Sequence, residues 1–230
     1  MKAVILAAGA GTKVMPLTEN IPKVLISVGN KPLLSKSISV LRESGIDEIG
    51  IVVGYKKEKI KEFIHRENLK NITLIEQPKI SGTANAVQVS KDFVGKDNFL
   101  VIMGDNLYSP NDLKDILSYN KNCIGAIKMD VGGNYGKVLH DDWKLKEIAE
   151  NTSKTDSNLI NVGAYLFTPK IFSAIEKTTR HKNEFNITDS INILSKEEEV
   201  RVHKMKDYWF DIGTIEDIIK AEEHLAKTGE

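Results

Sequence analysis

A glycine-rich turn followed by two lysines is the first feature of the chain that could do chemistry. Residues 2–7 form a short, largely apolar run, typical of a buried strand, and residues 9–12 read Gly-Ala-Gly-Thr. Small residues let backbone N–H groups come close to an oxyanion, and glycine tolerates the backbone angles that such a turn requires. Lys13 and Lys23 add positive charge. The pattern predicts a phosphate site at the carboxyl end of a first parallel strand.

Two common phosphate-binding motifs are excluded by the residues around this turn. A P-loop requires Gly-Lys-Ser/Thr after the glycines, but Gly11 is followed by Thr12, Lys13 and Val14. A dinucleotide-binding fingerprint requires a small residue in place of Val14 and an acid at the end of the second strand, where residues 52–55 read Val-Val-Gly-Tyr. The turn therefore belongs to neither class.

Two aspartates are candidate ligands for a metal that would accompany phosphate. Asp105 follows the apolar run 99–103 and Gly104, so it should face the same rim of the sheet as the glycine-rich turn, where a carboxylate suits Mg²⁺. A helix cap or turn is the plainer alternative for Asp105. Asp211 lies in the segment Tyr-Trp-Phe-Asp-Ile-Gly-Thr of residues 208–214. Taken alone, it could be only an acidic residue in the turn before a helix that Thr214 caps.

The elements that would position these residues alternate between strand and helix patterns. Strands are predicted at residues 2–7, 49–53, 72–75, 98–103, 138–140, 161–167 and 200–203, and helices at 32–43, around 60–64, at 83–93 and at 214–227. This alternation predicts an α/β protein, a three-layer α/β/α sandwich with a Rossmann-like mixed, mostly parallel sheet. We expect one domain over residues 1–230, with a nucleotide-binding half at about 1–110 and a substrate-binding half at about 111–230.

Composition limits the partners of the chain. Its 32 basic and 32 acidic residues give zero net charge, so no overall field favours nucleic acid. The single cysteine, Cys123, excludes an internal disulfide and favours a reducing compartment. The first apolar run is too short for a signal peptide, and no stretch approaches membrane-spanning length. We expect a soluble cytoplasmic protein with neither nucleic acid nor membrane as a partner. The oligomeric state stays open, because exposed apolar surface is a property of the tertiary structure.

The opening segment resembles the signature of the sugar nucleotidylyltransferases, or nucleotide-sugar pyrophosphorylases. That signature reads Leu-Ala-Ala-Gly-x-Gly-Thr-Arg-x-x-Pro-Leu-Thr, followed by Pro-Lys and Lys-Pro-Leu-Leu. Its counterparts here are residues 6–12, 16–18, 22–23 and 31–34, with Lys13 in place of the family's arginine. Later landmarks extend the resemblance to about Ala221, most closely to glucose-1-phosphate uridylyl- and thymidylyltransferases.

The resemblance implies a nucleotide site, a catalytic set and a metal site. The implied nucleotide-binding residues are Leu6, Ala7, Ala8, Gly9, Gly11, Thr12, Lys13, Gln77, Gly82 and Thr83. Gln77 offers the donor and acceptor that a uracil or thymine edge requires, although a solvated strand end would explain it equally. Gly82 would let the backbone approach the base, or simply begin a helix. Lys13, Lys23 and Asp105 would be catalytic, and Asp105 and Asp211 would bind Mg²⁺.

The resemblance also implies a sugar site at Gly136, Glu150 and Asn161, of which the last two could equally be polar strand-end residues. Some members have a lysine directly after the glutamate to hold the sugar phosphate, and Asn151 stands there in this chain. Lys154, or the two lysines near the glycine-rich turn, would then supply that charge.

The implied reaction is transfer of a nucleotidyl group from a nucleoside triphosphate, UTP or dTTP, to a sugar 1-phosphate such as glucose 1-phosphate, yielding nucleotide-sugar and pyrophosphate. Two alternatives stay open: a cytidylyltransferase for a non-sugar phosphate such as phosphocholine or inositol 1-phosphate, and a catalytically silent regulatory homologue that binds nucleotide-sugar. These 230 residues contain no hexapeptide repeat of the kind found in bifunctional relatives, so we expect transferase activity alone.

Overall fold

The computed structural model describes residues 1–129, 135–150, 155, 157–180 and 184–228, with only the backbone of Lys13. The strands are β1 (Lys2–Ala7), β2 (Ser27–Val28), β3 (Lys31–Pro32), β4 (Glu48–Val53), β5 (Ile72–Glu76), β6 (Phe99–Met103), β7 (Asn106–Tyr108), β8 (Cys123–Lys128), β9 (Lys137–Asp141), β10 (Lys144–Ala149), β11 (Leu159–Phe167), β12 (Arg201–Lys204) and β13 (Trp209–Asp211). The α-helices are α1 (Leu33–Glu43), α2 (Lys57–Arg66), α3 (Thr83–Gln88), α4 (Lys91–Val94), α5 (Pro110–Ser118), α6 (Ile171–Glu176), α7 (Ile187–Glu197) and α8 (Ile215–Thr228). Short 3₁₀ turns lie at Thr12–Val14 and Lys23–Leu25.

A nine-stranded sheet in the order β5-β4-β1-β6-β11-β8-β12-β10-β9 forms the middle layer of the described chain. Its first four strands are parallel to one another, and β11 and β10 run against the other strands. The predicted Rossmann-like, mostly parallel mixed sheet is confirmed. Parallel strands of this kind place their carboxyl ends, and the loops after them, along one edge.

Helices cover both faces of the sheet, which confirms the three-layer architecture. Successive residues of β1 point to opposite faces, so Ile5 packs with α1, α2 and α5, and Val4 packs with α3, α6 and α7. Both residues are fully buried. Burial on both faces explains why β1 reads as a continuous apolar run.

The predicted helix at residues 83–93 is two helices, α3 and α4, and the prediction of one element is wrong. The first ends at Gln88, and the buried Ser90 hydroxyl donates a hydrogen bond of 2.7 Å to the carbonyl of Val87. Serine competes in this way for backbone acceptors and favours helix ends.

A two-stranded antiparallel ribbon, β7 with β13, lies outside the large sheet; candidate metal ligand Asp211 ends β13, and Asp105 directly precedes β7. It pairs Asn106 with Asp211 and Tyr108 with Trp209. Beyond the ribbon, the Ile212 N–H donates to the Asp105 carbonyl at 3.1 Å. A third apolar cluster, which includes Leu107 and the buried face of α8, packs against the ribbon.

The chain entering β13 is anchored by the buried carboxylate of Asp112, which is 1% exposed. It accepts hydrogen bonds from the N–H groups of Lys206 at 2.8 Å and Asp207 at 3.0 Å, and contacts His203 Nε2 at 3.2 Å. Burial by itself would raise the pKa of Asp112, but these hydrogen bonds outweigh it and hold the pKa below its ordinary value.

Asp112→Ala is expected to lower the free energy of unfolding by about 2–4 kcal/mol, because buried donors lose their acceptor. The carboxylate stabilises the fold above its ordinary pKa of 3.8, and the effect is lost as pH falls through the lowered folded-state pKa. Urea unfolding at pH 7 and at stepwise lower pH measures both effects. The matched control is Asp115→Ala, which removes an exposed carboxylate paired with Lys206 Nζ at 2.6 Å and should cost less than about 1 kcal/mol.

Candidate active site

The glycine-rich turn lies at the carboxyl end of β1, as the sequence predicts. Gly11 has a φ of 62°, in the left-handed region, and a Cβ there would lie 2.8 Å from Cβ of Lys23. The Thr18 hydroxyl holds the turn by donating to the Gly11 carbonyl at 2.8 Å. Glycine is therefore required at position 11 both for its backbone angle and for the close approach of Lys23.

A cleft of about 440 Å³ opens beside this turn, between the ends of β1 and β6. Among its lining residues are Leu6, Ala7, Ala8, Gly9, Gly11, Thr12, Lys23, Gln77, Gly82, Thr83, Asp105 and Asp211. The cleft thus brings together every predicted nucleotide-binding residue except Lys13, whose side chain lies outside the described part of the structure.

Gln77 is 3% exposed and is not a solvated strand end. Its Nε2 donates to the Gly82 carbonyl at 3.2 Å and to Asn85 Oδ1 at 2.8 Å. These two bonds fix the amide plane at the wall of the cleft. Because these bonds use both Nε2 hydrogens, the amide can offer a base only its Oε1 acceptor.

The turn at residues 81–84 is tied to the segment that leads into α7. Gly82 has a φ of 102°, and a Cβ there would meet the Phe185 carbonyl oxygen at 2.4 Å. Phe185 N–H donates to the Ser81 carbonyl at 2.8 Å, and Ile187 N–H donates to Thr83 Oγ1 at 2.9 Å. Sequence reasoning assigned Gly82 to the approach of a base and missed this backbone contact, which has no local signal.

A second cleft of about 760 Å³ adjoins the first. It is lined by Gly136, Glu150 and Asn161, the three residues predicted to bind sugar. The two clefts share the lining residues Thr83, Met103, Asp105 and Asp211. Asn151 and Lys154 lie outside the described residues.

Neighbouring side chains orient the polar groups of this second cleft. Asn161 Nδ2 donates to the hydroxyl of buried Tyr165 at 2.7 Å. The Asn192 side chain bridges both backbone groups of Ile148, accepting from its N–H at 2.7 Å and donating to its carbonyl at 2.9 Å. That contact fixes the end of β10, just before Glu150. Burial raises the pKa of Glu150, and the carboxylate of Asp189 raises it further.

Sequence reasoning missed several polar residues that line this cleft. Thr188, Asp189 and Asn192 are among them. All three belong to α7, whose sequence has an ordinary amphipathic pattern. A helical-wheel reading would separate their polar face from the core, but only the tertiary structure shows that this face lines a cleft.

The two aspartates lie at the junction of the clefts and form an electrostatically strained pair. Lys23 Nζ contacts Asp105 Oδ2 at 2.6 Å. Burial raises the pKa of Asp211, the Asp105 carboxylate raises it further, and Lys23 opposes both effects. The Tyr135 hydroxyl beside Asp211 also opposes them and lowers the pKa of Asp211.

This donor set fits a hard divalent cation. Two carboxylates supply oxygen ligands, and positive charge between them would relieve their repulsion. The described residues contain no cluster of three or more His, Cys, Asp or Glu side chains suited to a metal. A bound Mg²⁺ would therefore keep most of its coordination positions for phosphate oxygens and water, as is usual for this ion.

The family model for nucleotidyl transferases matches residues 2–228, and the chain belongs to this family. The predicted family is confirmed.

Named relatives place the chain within this family. It is 41% identical over 227 residues to the bifunctional protein GlmU of Methanocaldococcus jannaschii, covering 98% of this chain and 54% of the relative. It is 34% identical over 217 residues to the bifunctional sugar-1-phosphate nucleotidylyltransferase/acetyltransferase of Sulfurisphaera tokodaii, covering 93% and 52%. The chain thus spans about half the length of these curated relatives.

A solved structure matches over the whole chain. UDP-glucose pyrophosphorylase complexed with UDP-glucose is 25% identical and superposes with a TM-score of 0.87, covering 99% of this chain and 98% of the other. Among the described residues, none of the helices combines the length and apolarity needed to cross a membrane.

Proposed function

We propose that this chain transfers a nucleotidyl group from UTP or dTTP to a sugar 1-phosphate, glucose 1-phosphate or a related sugar, in a reaction that depends on Mg²⁺. One observation carries the proposal: Asp105 and Asp211 line both clefts, at the junction where the nucleotide and sugar phosphates would meet. The names of the relatives agree with this class of reaction. The nucleotide cleft would belong mainly to residues 1–110 and the sugar cleft mainly to residues 111–230.

The reaction requires alignment rather than a general base. A phosphate monoester has a second pKa of about 6, so sugar 1-phosphate is largely dianionic at neutral pH. One of its oxygens forms a bond to the α-phosphorus of the triphosphate, and the bond from that phosphorus to the bridging oxygen breaks, releasing pyrophosphate. Holding two anions in line and stabilising the charge on the leaving group would supply the rate enhancement.

The side chains of the clefts suit these tasks. The backbone of residues 9–12 and Lys13 would hold the triphosphate, and Lys23 would reach the reacting phosphates. Asp105 and Asp211 would hold Mg²⁺, which neutralises phosphate charge when bound. In the same proposal, Gln77 reads the uracil or thymine edge, and Glu150 and Asn161 accept hydrogen bonds from sugar hydroxyls.

Pyrophosphate release tests the proposal directly. The purified chain is incubated with Mg²⁺, one of UTP, dTTP, CTP, ATP or GTP, and one of several acceptors, including glucose 1-phosphate, N-acetylglucosamine 1-phosphate, phosphocholine and inositol 1-phosphate. We expect release with UTP or dTTP and a sugar 1-phosphate. Release only with CTP and a non-sugar phosphate would establish the cytidylyltransferase alternative. Tight binding of nucleotide-sugar with no release from any pair would establish the silent homologue.

Lys13→Ala is expected to lower kcat/KM about 10- to 100-fold, because a charge-assisted contact to the triphosphate is lost. Lys13→Arg should retain or increase activity, since arginine adds a bidentate fork that matches two phosphate oxygens. Steady-state kinetics with varied UTP measure both effects. Turnover by Lys13→Ala at the rate of the unmodified chain would show that Lys13 does not hold the triphosphate.

A further inference from the structure

We propose that Lys23 occupies the cation position on Asp105 until a triphosphate draws it away, so that divalent metal binding is coupled to nucleotide binding. The inference rests on the proposed function, because it takes Asp105 as the metal ligand and Lys23 as a phosphate ligand. It assigns Lys23 a second role, that of an internal competitor of the metal.

The contact between the two side chains is direct. Lys23 Nζ lies 2.6 Å from Asp105 Oδ2, and the side chains are 13% and 36% exposed. The ammonium therefore occupies one of the two carboxylate oxygens that could bind a metal, in partial shelter from water. A metal bound to that oxygen and the ammonium group cannot both occupy the position.

The first side-chain atoms of Lys23 are held in place by packing, whereas its ammonium group could contact either Asp105 or a triphosphate. Lys23 begins a 3₁₀ turn after Pro22, and its Cβ packs against Gly11 of the glycine-rich turn. The side chain thus starts against the turn predicted to hold the triphosphate and ends on Asp105. Lysine carries a compact charge on a flexible stem, so its ammonium can exchange partners without movement of the backbone.

The electrostatics favour Lys23 as the resident cation when nucleotide is absent. Asp105 and Asp211 repel each other across the junction, and Lys23 is the positive group that opposes this repulsion. A triphosphate brings several negative charges to the same place and offers the ammonium a second partner. A triphosphate that draws Lys23 away from Asp105 therefore raises the affinity for the metal. By linkage, metal binding raises the affinity for the triphosphate by the same factor.

Direct measurement of Mn²⁺ binding tests the coupling without relying on turnover. Electron paramagnetic resonance of free Mn²⁺ gives its affinity for the unmodified chain, for Lys23→Met and for Lys177→Met, each with and without UTP, with UTP alone as the reference titration. Lys177→Met is the matched control, because Lys177 Nζ also lies 2.6 Å from a carboxylate, that of Glu197, away from both clefts. Sugar phosphate is omitted, so no reaction occurs.

We expect Lys23→Met to bind Mn²⁺ roughly tenfold more tightly than the unmodified chain in the absence of UTP, and no more tightly in its presence. Lys177→Met should match the unmodified chain in both states. An equal gain in both states would show that Lys23 acts only as a nearby charge, and no gain without UTP would show that it does not compete with the metal. Either result overturns the inference.

Failure of the inference and failure of the proposed function give different results. If the unmodified chain releases pyrophosphate but the Mn²⁺ gain is absent or equal in both states, only the inference is wrong. If no form of the chain binds Mn²⁺ beyond UTP alone and no pyrophosphate is released, the proposed function is wrong as well. Lys23→Gln, measured in the same way, replaces Lys23→Met if the latter does not fold.

Discussion

Asp105→Asn is expected to lower kcat for pyrophosphate release about 10³-fold, the largest loss of activity that we predict for any substitution. The carboxylate lies at the end of β6, lines both clefts and contacts Lys23. Asparagine keeps the shape of the side chain but removes the charge that would hold a divalent cation beside the reacting phosphates. Pyrophosphate release at saturating substrates measures the effect.

The fold should survive this substitution, because Asp105 is not part of the apolar core. Asp97→Asn is the matched control: it removes an exposed carboxylate just before the other end of β6 and should leave kcat unchanged. Thermal unfolding of both variants shows whether loss of activity has a structural cause. Activity of Asp105→Asn within tenfold of the unmodified chain would contradict the assigned role.

Asp211→Asn provides an independent check of the same pair. Burial and the Asp105 carboxylate both raise the pKa of Asp211, so its charge is unfavourable in the folded chain at neutral pH. The variant should therefore lose activity yet unfold at an equal or higher temperature. Two losses of activity without loss of stability would locate the metal site at the junction of the clefts.

Gly82→Ala is expected to lower the free energy of unfolding by about 2–4 kcal/mol and to weaken binding of both substrates. A methyl group at this position would lie 2.4 Å from the Phe185 carbonyl oxygen, on a residue whose φ is 102°. The nearest atoms that the methyl group would meet all belong to the Phe185 backbone, so relief requires the turn at 81–84 to separate from the segment before α7. That movement would shift the walls of both clefts together.

Gly95→Ala is the control that separates the backbone strain of a positive φ from the steric clash with Phe185. Gly95 also has a positive φ, 71°, but a Cβ there would meet nothing within 4 Å. It should cost about 1–3 kcal/mol, because φ 71° with ψ −126° is a backbone conformation that L residues rarely adopt, and it should leave KM for both substrates unchanged. Urea unfolding and steady-state kinetics give the comparison. If Gly82→Ala were no more damaging than Gly95→Ala, the contact with Phe185 would not hold the clefts together.

The sequence by itself determined the features that depend on neighbours along the chain. The apolar run of β1 is buried on both faces and therefore lacks alternation, and the small residues after it predict a phosphate site at the carboxyl end of the strand. Asp105 was found in the same way, since the end of a buried strand marks the rim of the sheet. The spacing of these motifs also led to the family, which the family model confirms.

Only the tertiary structure decided which distant residues meet. The β7–β13 ribbon pairs Asn106 with Asp211, and the contact of Gly82 with Phe185 joins two turns that are far apart in the chain. The Lys23–Asp105 ion pair and the polar face of α7 are of the same kind. Such contacts leave no periodic pattern, because local periodicity reports which face of an element is buried and not which element covers it. Which residues lie together at the junction of the clefts depends on those pairings, whereas the groups proposed to act there could be named from the chain alone.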